Sequence, residues 1–81
     1  MAKDLKNPGI FVGFKQSVKA VISDSVKEAY IARDTEDTMR ASFEDLCKQH
    51  NIPVKYVDTK KELGRMADIK VGAAVVVVLN S

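Results

Sequence analysis

The chain has 81 residues, of which 46% are hydrophobic and 30% charged, and its formal net charge at pH 7 is +2. This length excludes a second hydrophobic core, so residues 1–81 are expected to form one small domain. The net charge is too small to indicate nucleic-acid binding by itself. The charges are nevertheless separated: residues 1–33 hold six basic and three acidic groups, whereas residues 34–51 hold two basic and five acidic groups.

The first half of the chain predicts two strands, each followed by a helix. The short apolar run Ile10–Val12 predicts a strand, and the helix predicted over Lys15–Ser23 ends at a Ser-Asp-Ser turn. Val26–Ala32 predicts a second strand. Apolar residues then recur with helical spacing from about Asp34 to His50. The apolar positions of this second helix are Met39, Phe43, Leu46, Cys47 and His50.

The second half predicts a strand, a short helix and a buried strand. Val54–Val57 is the third predicted strand, and the capping-box sequence Thr59–Glu62 begins a helix over Lys60–Met66. Asp68–Gly72 is a loop, and Ala73–Leu79 is apolar at every position, as in central strands covered on both faces. The alternation of strands and helices predicts an α/β fold, a three-layer α/β/α sandwich with a mixed sheet of about four strands.

Cysteine content and the chain ends bear on the cellular setting. Cys47 is the only cysteine, which excludes an internal disulfide and favours a reducing compartment. Residues 1–8 are polar, favour a loose helical turn and lack the pattern of a signal peptide. The longest apolar run is far shorter than the roughly 20 residues that span a bilayer. We therefore expect a cytoplasmic protein with no membrane partner.

Catalytic and metal-binding residues are sparse. Cys47 and His50 lie three residues apart on one predicted helix, so a Cys–His dyad or half of a metal site is the catalytic alternative. No further cysteine or histidine exists to complete tetrahedral coordination. The outer side of the same helix carries the carboxylates Glu36, Asp37, Glu44 and Asp45, which a solvated face explains. Phosphate-binding glycine motifs are absent, and we expect no enzyme activity, metal or cofactor.

The segment after the first strand is the first candidate binding site. Gly13 precedes a helix on which Lys15, Gln16 and Lys19 share one sector of about 100° with Ser23. The opposite side carries Phe14, Val18, Val21 and Ile22, which are expected to be buried. The first turn of a helix attracts anions, and Lys and Gln side chains reach guanine and other purine edges. Two interpretations remain open: an RNA-contacting surface, or an ordinary amphipathic helix.

The loop before the last strand is the second candidate. Its apolar residues Ile69 and Val71 are predicted to be exposed. They either cover the edge of the core or form a small platform for an unstacked nucleotide, as in RNA-binding loops.

Five segments in chain order resemble the ribosomal protein L7Ae family, and more narrowly its short bacterial members. The segments are residues 12–20, 26–32, 52–57, 61–64 and 71–74. The resemblance implies an α/β/α sandwich that binds kink-turn RNA, a sharply bent duplex with tandem sheared G·A pairs. Family members bind it with the helix after the first strand and the apolar loop before the last strand.

The resemblance also implies the RNA-binding residues. These are Gly13, Phe14, Lys15, Gln16, Lys19, Arg33, Ile69, Lys70, Val71 and Gly72. Lys15 and Gln16 correspond to the positions that read the G·A pairs, Lys19 and Arg33 to phosphate contacts. Two residues depart from the family pattern: Phe14 stands where a threonine is usual, and Lys70 stands where the loop usually has an acidic residue. Lys70 is expected to strengthen general phosphate attraction.

We therefore expect a non-enzymatic, monomeric protein that stabilises a kink-turn in ribosomal or riboswitch-like RNA, with the ribosome as a further partner. The alternative is a protein-interaction or ribosome-assembly module on the same fold. Its contact surface would be the acidic outer face of the helix predicted over Asp34–His50.

Overall fold

The computed structural model of the protein describes residues 9–80, so the helical turn predicted over residues 1–8 lies outside the described part. The elements are β1 Ile10–Val12, α1 Phe14–Ile22, β2 Val26–Ala32, α2 Asp37–Gln49, β3 Val54–Val57, α3 Lys60–Met66 and β4 Val75–Leu79. The predicted order of strands and helices is confirmed. β1, β2, β3 and α3 begin and end at the predicted residues. In this part of the chain, no helix is both long and apolar enough to cross a membrane.

The four strands form one mixed sheet in the order β1-β4-β2-β3. β4 pairs antiparallel with β1 on one side and with β2 on the other, and β2 pairs parallel with β3. β4 is therefore a central strand, as its continuous apolar sequence predicts. Its side chains alternate between two cores, with Val75 and Val77 on one face and Val76 on the other.

The two cores lie on opposite faces of the sheet, which confirms the three-layer sandwich. The first core packs α1 and α2 against the sheet through Ala20, Val21, Phe43 and Cys47. The second, smaller core packs α3 against the other face through Leu63 and its neighbours. The capping box before α3 is confirmed in part, because the Thr59 side chain accepts a hydrogen bond from the Glu62 amide (3.0 Å).

The helix predicted from about Asp34 begins only at Asp37. The preceding turn is not helical and bonds to side chains and to another element: the Asp34 carboxylate accepts from the Lys60 amide of α3 at 2.8 Å. The Arg40 guanidinium donates to the carbonyls of Arg33 (2.9 Å) and Thr35 (3.4 Å). These contacts make residues 33–36 a connector that ties α2 to α3.

The prediction that Ile22 is buried is wrong, since this side chain is 59% exposed. The buried side of α1 consists of Ser17, Ala20 and Val21. At about 100° per residue, Ile22 lies roughly opposite Ala20. The small side chains of Ser17 and Ala20 allow α1 to lie close to the sheet, so the helix turns this face inward and leaves Ile22 in solvent.

Candidate nucleic-acid interface

The sheet topology brings four connecting segments to one edge of the molecule. β1, β2 and β3 end at this edge and β4 begins there, because β4 is antiparallel to its neighbours. We call these segments the common edge: residues 13–16, 33–36, 58–61 and 68–74. Hydrogen bonds join these segments to the sheet and to one another, among them Gly13 N to Val75 O (3.0 Å), Arg33 N to Val57 O (2.8 Å) and Ala73 N to Lys60 O (3.0 Å). Both surfaces predicted from the sequence thus lie at the same edge.

Gly13 opens the first turn of α1 to solvent. It has φ +103°, a backbone conformation that favours glycine, and it provides no side-chain cap for the helix. A Cβ at this position would meet no atom within 4 Å. The backbone at Gly13 is therefore open to a ligand, at the end of the helix where the dipole favours an anion.

The predicted polar face of α1 is exposed. Lys15, Gln16 and Lys19 all lie in solvent, with Lys15 and Gln16 in the first turn. Phe14 differs from these three, because it is half-buried and its ring lies against Phe43, with centroids 6.1 Å apart. Phe14 was included among the predicted RNA-binding residues only because of the resemblance, and its side chain packs against the first core.

The loop before β4 packs directly against α3. An ideal Cβ on Gly64 would lie 2.1 Å from the Val71 carbonyl oxygen, so only glycine permits this approach. Gly72 likewise packs on Lys60, whose Cβ would lie 3.2 Å from a Cβ on Gly72. The Ile69 amide donates to the Gly64 carbonyl at 3.0 Å. The helix therefore sets the position of the loop.

The apolar residues of this loop have different surroundings. Val71 is 71% exposed, as predicted. The prediction that Ile69 is exposed is wrong, because it is half-buried and packs on the second core, where it covers the core edge. A platform for an unstacked nucleotide stays a prediction, for Val71 alone. Lys70 between them is exposed. Val71 and Lys70 are thus exposed to solvent, while Ile69 anchors the loop.

Two exposed lysines of the common edge were missed as candidates. Lys60 and Lys61 form the first turn of α3, and the sequence pattern was interpreted only as a capping box. Their position directly after β3 was the available signal, because strands β2 and β3 are parallel and end at the same edge. With Lys15, Arg33 and Lys70 they give the common edge five basic groups, and four carboxylates also lie there, those of Asp34, Glu36, Asp58 and Asp68.

The candidate catalytic residues do not form a site. Cys47 is fully buried, and burial raises the pKa of its thiol to about 11. His50 Nδ1 lies 3.4 Å from an Asp24 carboxylate oxygen at the other end of the molecule from the common edge. Over residues 9–80, no group of three or more His, Cys, Asp or Glu side chains is placed to hold a metal ion.

We expect Cys47 to be unreactive toward a thiol reagent in the native protein at pH 7–8. The thiol is buried and its raised pKa keeps it protonated, whereas the thiolate is the reactive form. Labelling followed by mass spectrometry should be slow in buffer and fast in denaturant. Rapid labelling of the folded protein would contradict this and reopen the question of a reactive cysteine.

The acidic face of α2 is largely engaged within the chain. Glu44 accepts a hydrogen bond from the Tyr56 hydroxyl, and Asp45 accepts one from the Gln49 amide group at 2.9 Å. Asp37 pairs with Arg40 at 3.0 Å. Three of the four carboxylates on this face therefore have partners within the chain, and their presence does not require a second protein.

Fold and site together define a small α/β sandwich protein in which a helix N-terminus and a helix-supported loop lie at one edge that carries four exposed lysines. The chain belongs to the family described as ribosomal protein L7Ae/L30e/S12e/Gadd45, whose model matches residues 1–81. The resemblance drawn from the five sequence segments is thereby confirmed.

Individual relatives agree with this assignment. The chain is 45% identical over 67 residues to an RNA-binding protein of Caldanaerobacter subterraneus, covering 83% of this chain and 82% of that protein. It is 34% identical to the large ribosomal subunit protein eL30 of Aeropyrum pernix, covering 96% and 80% of the two chains. A Giardia lamblia 15.5 kD RNA-binding protein has the same fold, with a TM-score of 0.83 at 20% identity over 95% of this chain and 65% of that one.

Proposed function

We propose that this protein binds RNA at the common edge and stabilises the bent form of a kink-turn. The observation that carries the proposal is the placement of the open α1 N-terminus at Gly13 and of the loop containing Val71 at the same end of the sheet, where β4 begins. Membership in the family and the RNA-binding names of several relatives support it. We propose no enzymatic activity.

The α1 N-terminus is proposed to read the sheared G·A pairs. Lys15 and Gln16 lie exposed in its first turn, where their side chains can reach guanine and other purine edges in a groove widened by the kink. Gly13 permits the RNA backbone to approach the first amide groups. Lys19, one turn further along α1, is placed for a phosphate.

The loop before β4 is proposed to hold the looped-out nucleotide. Val71 provides an exposed apolar surface, and Lys70 adds charge for the backbone. Because these contacts exist together only when the RNA is bent, binding shifts the RNA toward its kinked form and offsets the cost of bending. Kink-turns of ribosomal or riboswitch-like RNAs are the proposed targets, and the lone cysteine suits action in the cytoplasm.

A titration at fixed salt and magnesium tests this function. The protein is titrated against a kink-turn RNA and a matched duplex in which Watson–Crick pairs replace the sheared G·A pairs. We expect at least about tenfold tighter binding to the kink-turn, equivalent to about 1.4 kcal/mol. Equal and salt-sensitive binding to both RNAs would reduce the edge to a general basic surface, and absence of binding would favour the protein-interaction alternative.

A further inference from the structure

Arg33 lies in the turn after β2, and hydrogen bonds to two other elements hold its main chain. The Arg33 amide donates to the Val57 carbonyl of β3 at 2.8 Å. Its own carbonyl accepts a hydrogen bond from Nη1 of Arg40, on α2, at 2.9 Å. The backbone from which the Arg33 side chain projects is therefore joined to both the sheet and a helix.

The Arg33 side chain is also held in place. Its guanidinium carbon lies 5.2 Å from the centroid of the Tyr56 ring on the edge strand β3. The ring is itself anchored by the hydrogen bond from its hydroxyl to Glu44, and this bond together with partial burial raises the pKa of Tyr56. The Arg33 side chain remains 65% exposed. A guanidinium placed over a ring keeps N–H donors available to a ligand.

Asp58, the nearby acidic residue, forms only a weak ion pair with the N–H donors of Arg33. The Asp58 carboxylate lies 3.8 Å from Arg33 Nε, and both side chains are well exposed, at 84% and 65%. An ion pair of this length between exposed groups contributes little, so a phosphate can displace it. Asp58 then acts as a local anion that reduces the attraction for a phosphate.

We propose that the Tyr56 ring holds Arg33 in place before binding, and so preorganises the phosphate contact that the family resemblance implies for Arg33. This inference rests on the proposed function and extends the interface across the sheet from α1 to the edge strand β3. Tyr56 and Arg40 are positioning residues, which act through Arg33. Holding the guanidinium in place before binding reduces the side-chain entropy that is lost when the phosphate contact forms.

The test measures the dissociation constant of the full chain for kink-turn RNA at several salt concentrations. Each phosphate contact contributes about 0.7 to 0.9 to the slope of log K against log salt. Arg33→Ala should weaken binding about three- to tenfold and make the slope shallower by about one. Arg33→Lys should keep the slope but bind more weakly than wild type, because an ammonium keeps the charge and loses the planar fork of N–H donors.

Substitutions at Tyr56 separate positioning from direct contact. Tyr56→Phe keeps the ring and should bind nearly as wild type, whereas Tyr56→Leu should weaken binding without changing the slope. In the Arg33→Ala background, Tyr56→Leu should cause no further loss. Asp58→Asn should strengthen binding. Thermal melts check that each variant is folded. We expect them to be folded, because the side chains of Arg33 and Tyr56 are exposed.

Two results would overturn the inference. The first is an Arg33→Ala variant with unchanged affinity and salt slope. If the wild-type protein still prefers the kink-turn in that case, the proposed function is retained and only this inference fails. The second is an equal loss for Tyr56→Leu with and without Arg33, which would make the ring a direct contact. If the wild-type protein binds neither RNA, the proposed function and this inference both fail.

Discussion

Replacement of Lys15 by alanine is expected to weaken binding of kink-turn RNA by about 1–3 kcal/mol and to reduce its preference over plain duplex. Lys15 is exposed in the first turn of α1, where the open helix end and Gly13 let the RNA come close. A side chain that reads guanine contributes to the kinked RNA more than to a regular duplex. Titration of both RNAs at one salt concentration measures the effect.

Two lysines serve as controls for Lys15→Ala. Lys70→Ala should weaken both RNAs by similar factors, because Lys70 is expected to attract phosphate without reading a base. Lys27 is exposed near the start of β2, at the end of the strand away from the common edge, so Lys27→Ala should change neither affinity much. Equal losses on kinked and plain RNA for Lys15→Ala would remove its base-reading role.

Replacement of Gly64 by alanine is expected to lower both stability and RNA affinity. The new Cβ would lie 2.1 Å from the Val71 carbonyl oxygen and 3.1 Å from its carbon, so the loop must move away from α3. Overpacking of this kind costs typically about 1–3 kcal/mol of unfolding free energy. Displacing Val71 also removes the proposed platform for the looped-out nucleotide. Thermal unfolding and RNA titration of the same variant measure the two effects.

A core substitution far from the loop separates stability from binding. Ile31→Val shortens a fully buried side chain in the first core and should cost about 0.5–1.5 kcal/mol of stability. At a temperature where both variants are folded, Ile31→Val should bind RNA as wild type while Gly64→Ala binds more weakly. If Gly64→Ala also retains wild-type affinity, the position of the loop does not matter for RNA binding.

Local sequence was sufficient for most secondary structure, because the signals act over a few residues. The Thr59 cap and the period-3.6 pattern around Phe43 and Cys47 stabilise helices wherever the chain folds. The continuous apolar run ending at Leu79 must be covered on both faces, which requires a central strand. The ends of helices were less predictable where they depend on contacts with residues far away in the sequence. The start of α2 at Asp37 is an example, because Asp34 bonds to Lys60 instead of joining the helix.

The candidate site came in part from local sequence and in part from family resemblance. The polar face of α1 with Lys15 and Gln16 follows from helical spacing alone. The loop residues Ile69 and Val71 were also a candidate from the sequence, whereas the role of Arg33 was implied only by the resemblance. Neither source indicated that Tyr56 supports Arg33, because their contact crosses from the turn after β2 to the neighbouring strand.

The sequence by itself determined which segments form helices and strands and which face of most elements is apolar, since those properties arise from near neighbours in the chain. The tertiary structure alone decided that Gly13, Arg33, Lys60 and Lys70 share one edge. That result depends on the strand order β1-β4-β2-β3 and on the antiparallel direction of β4. It also decided that Ile22 faces solvent, because the close packing of α1 selects its small residues for the buried side.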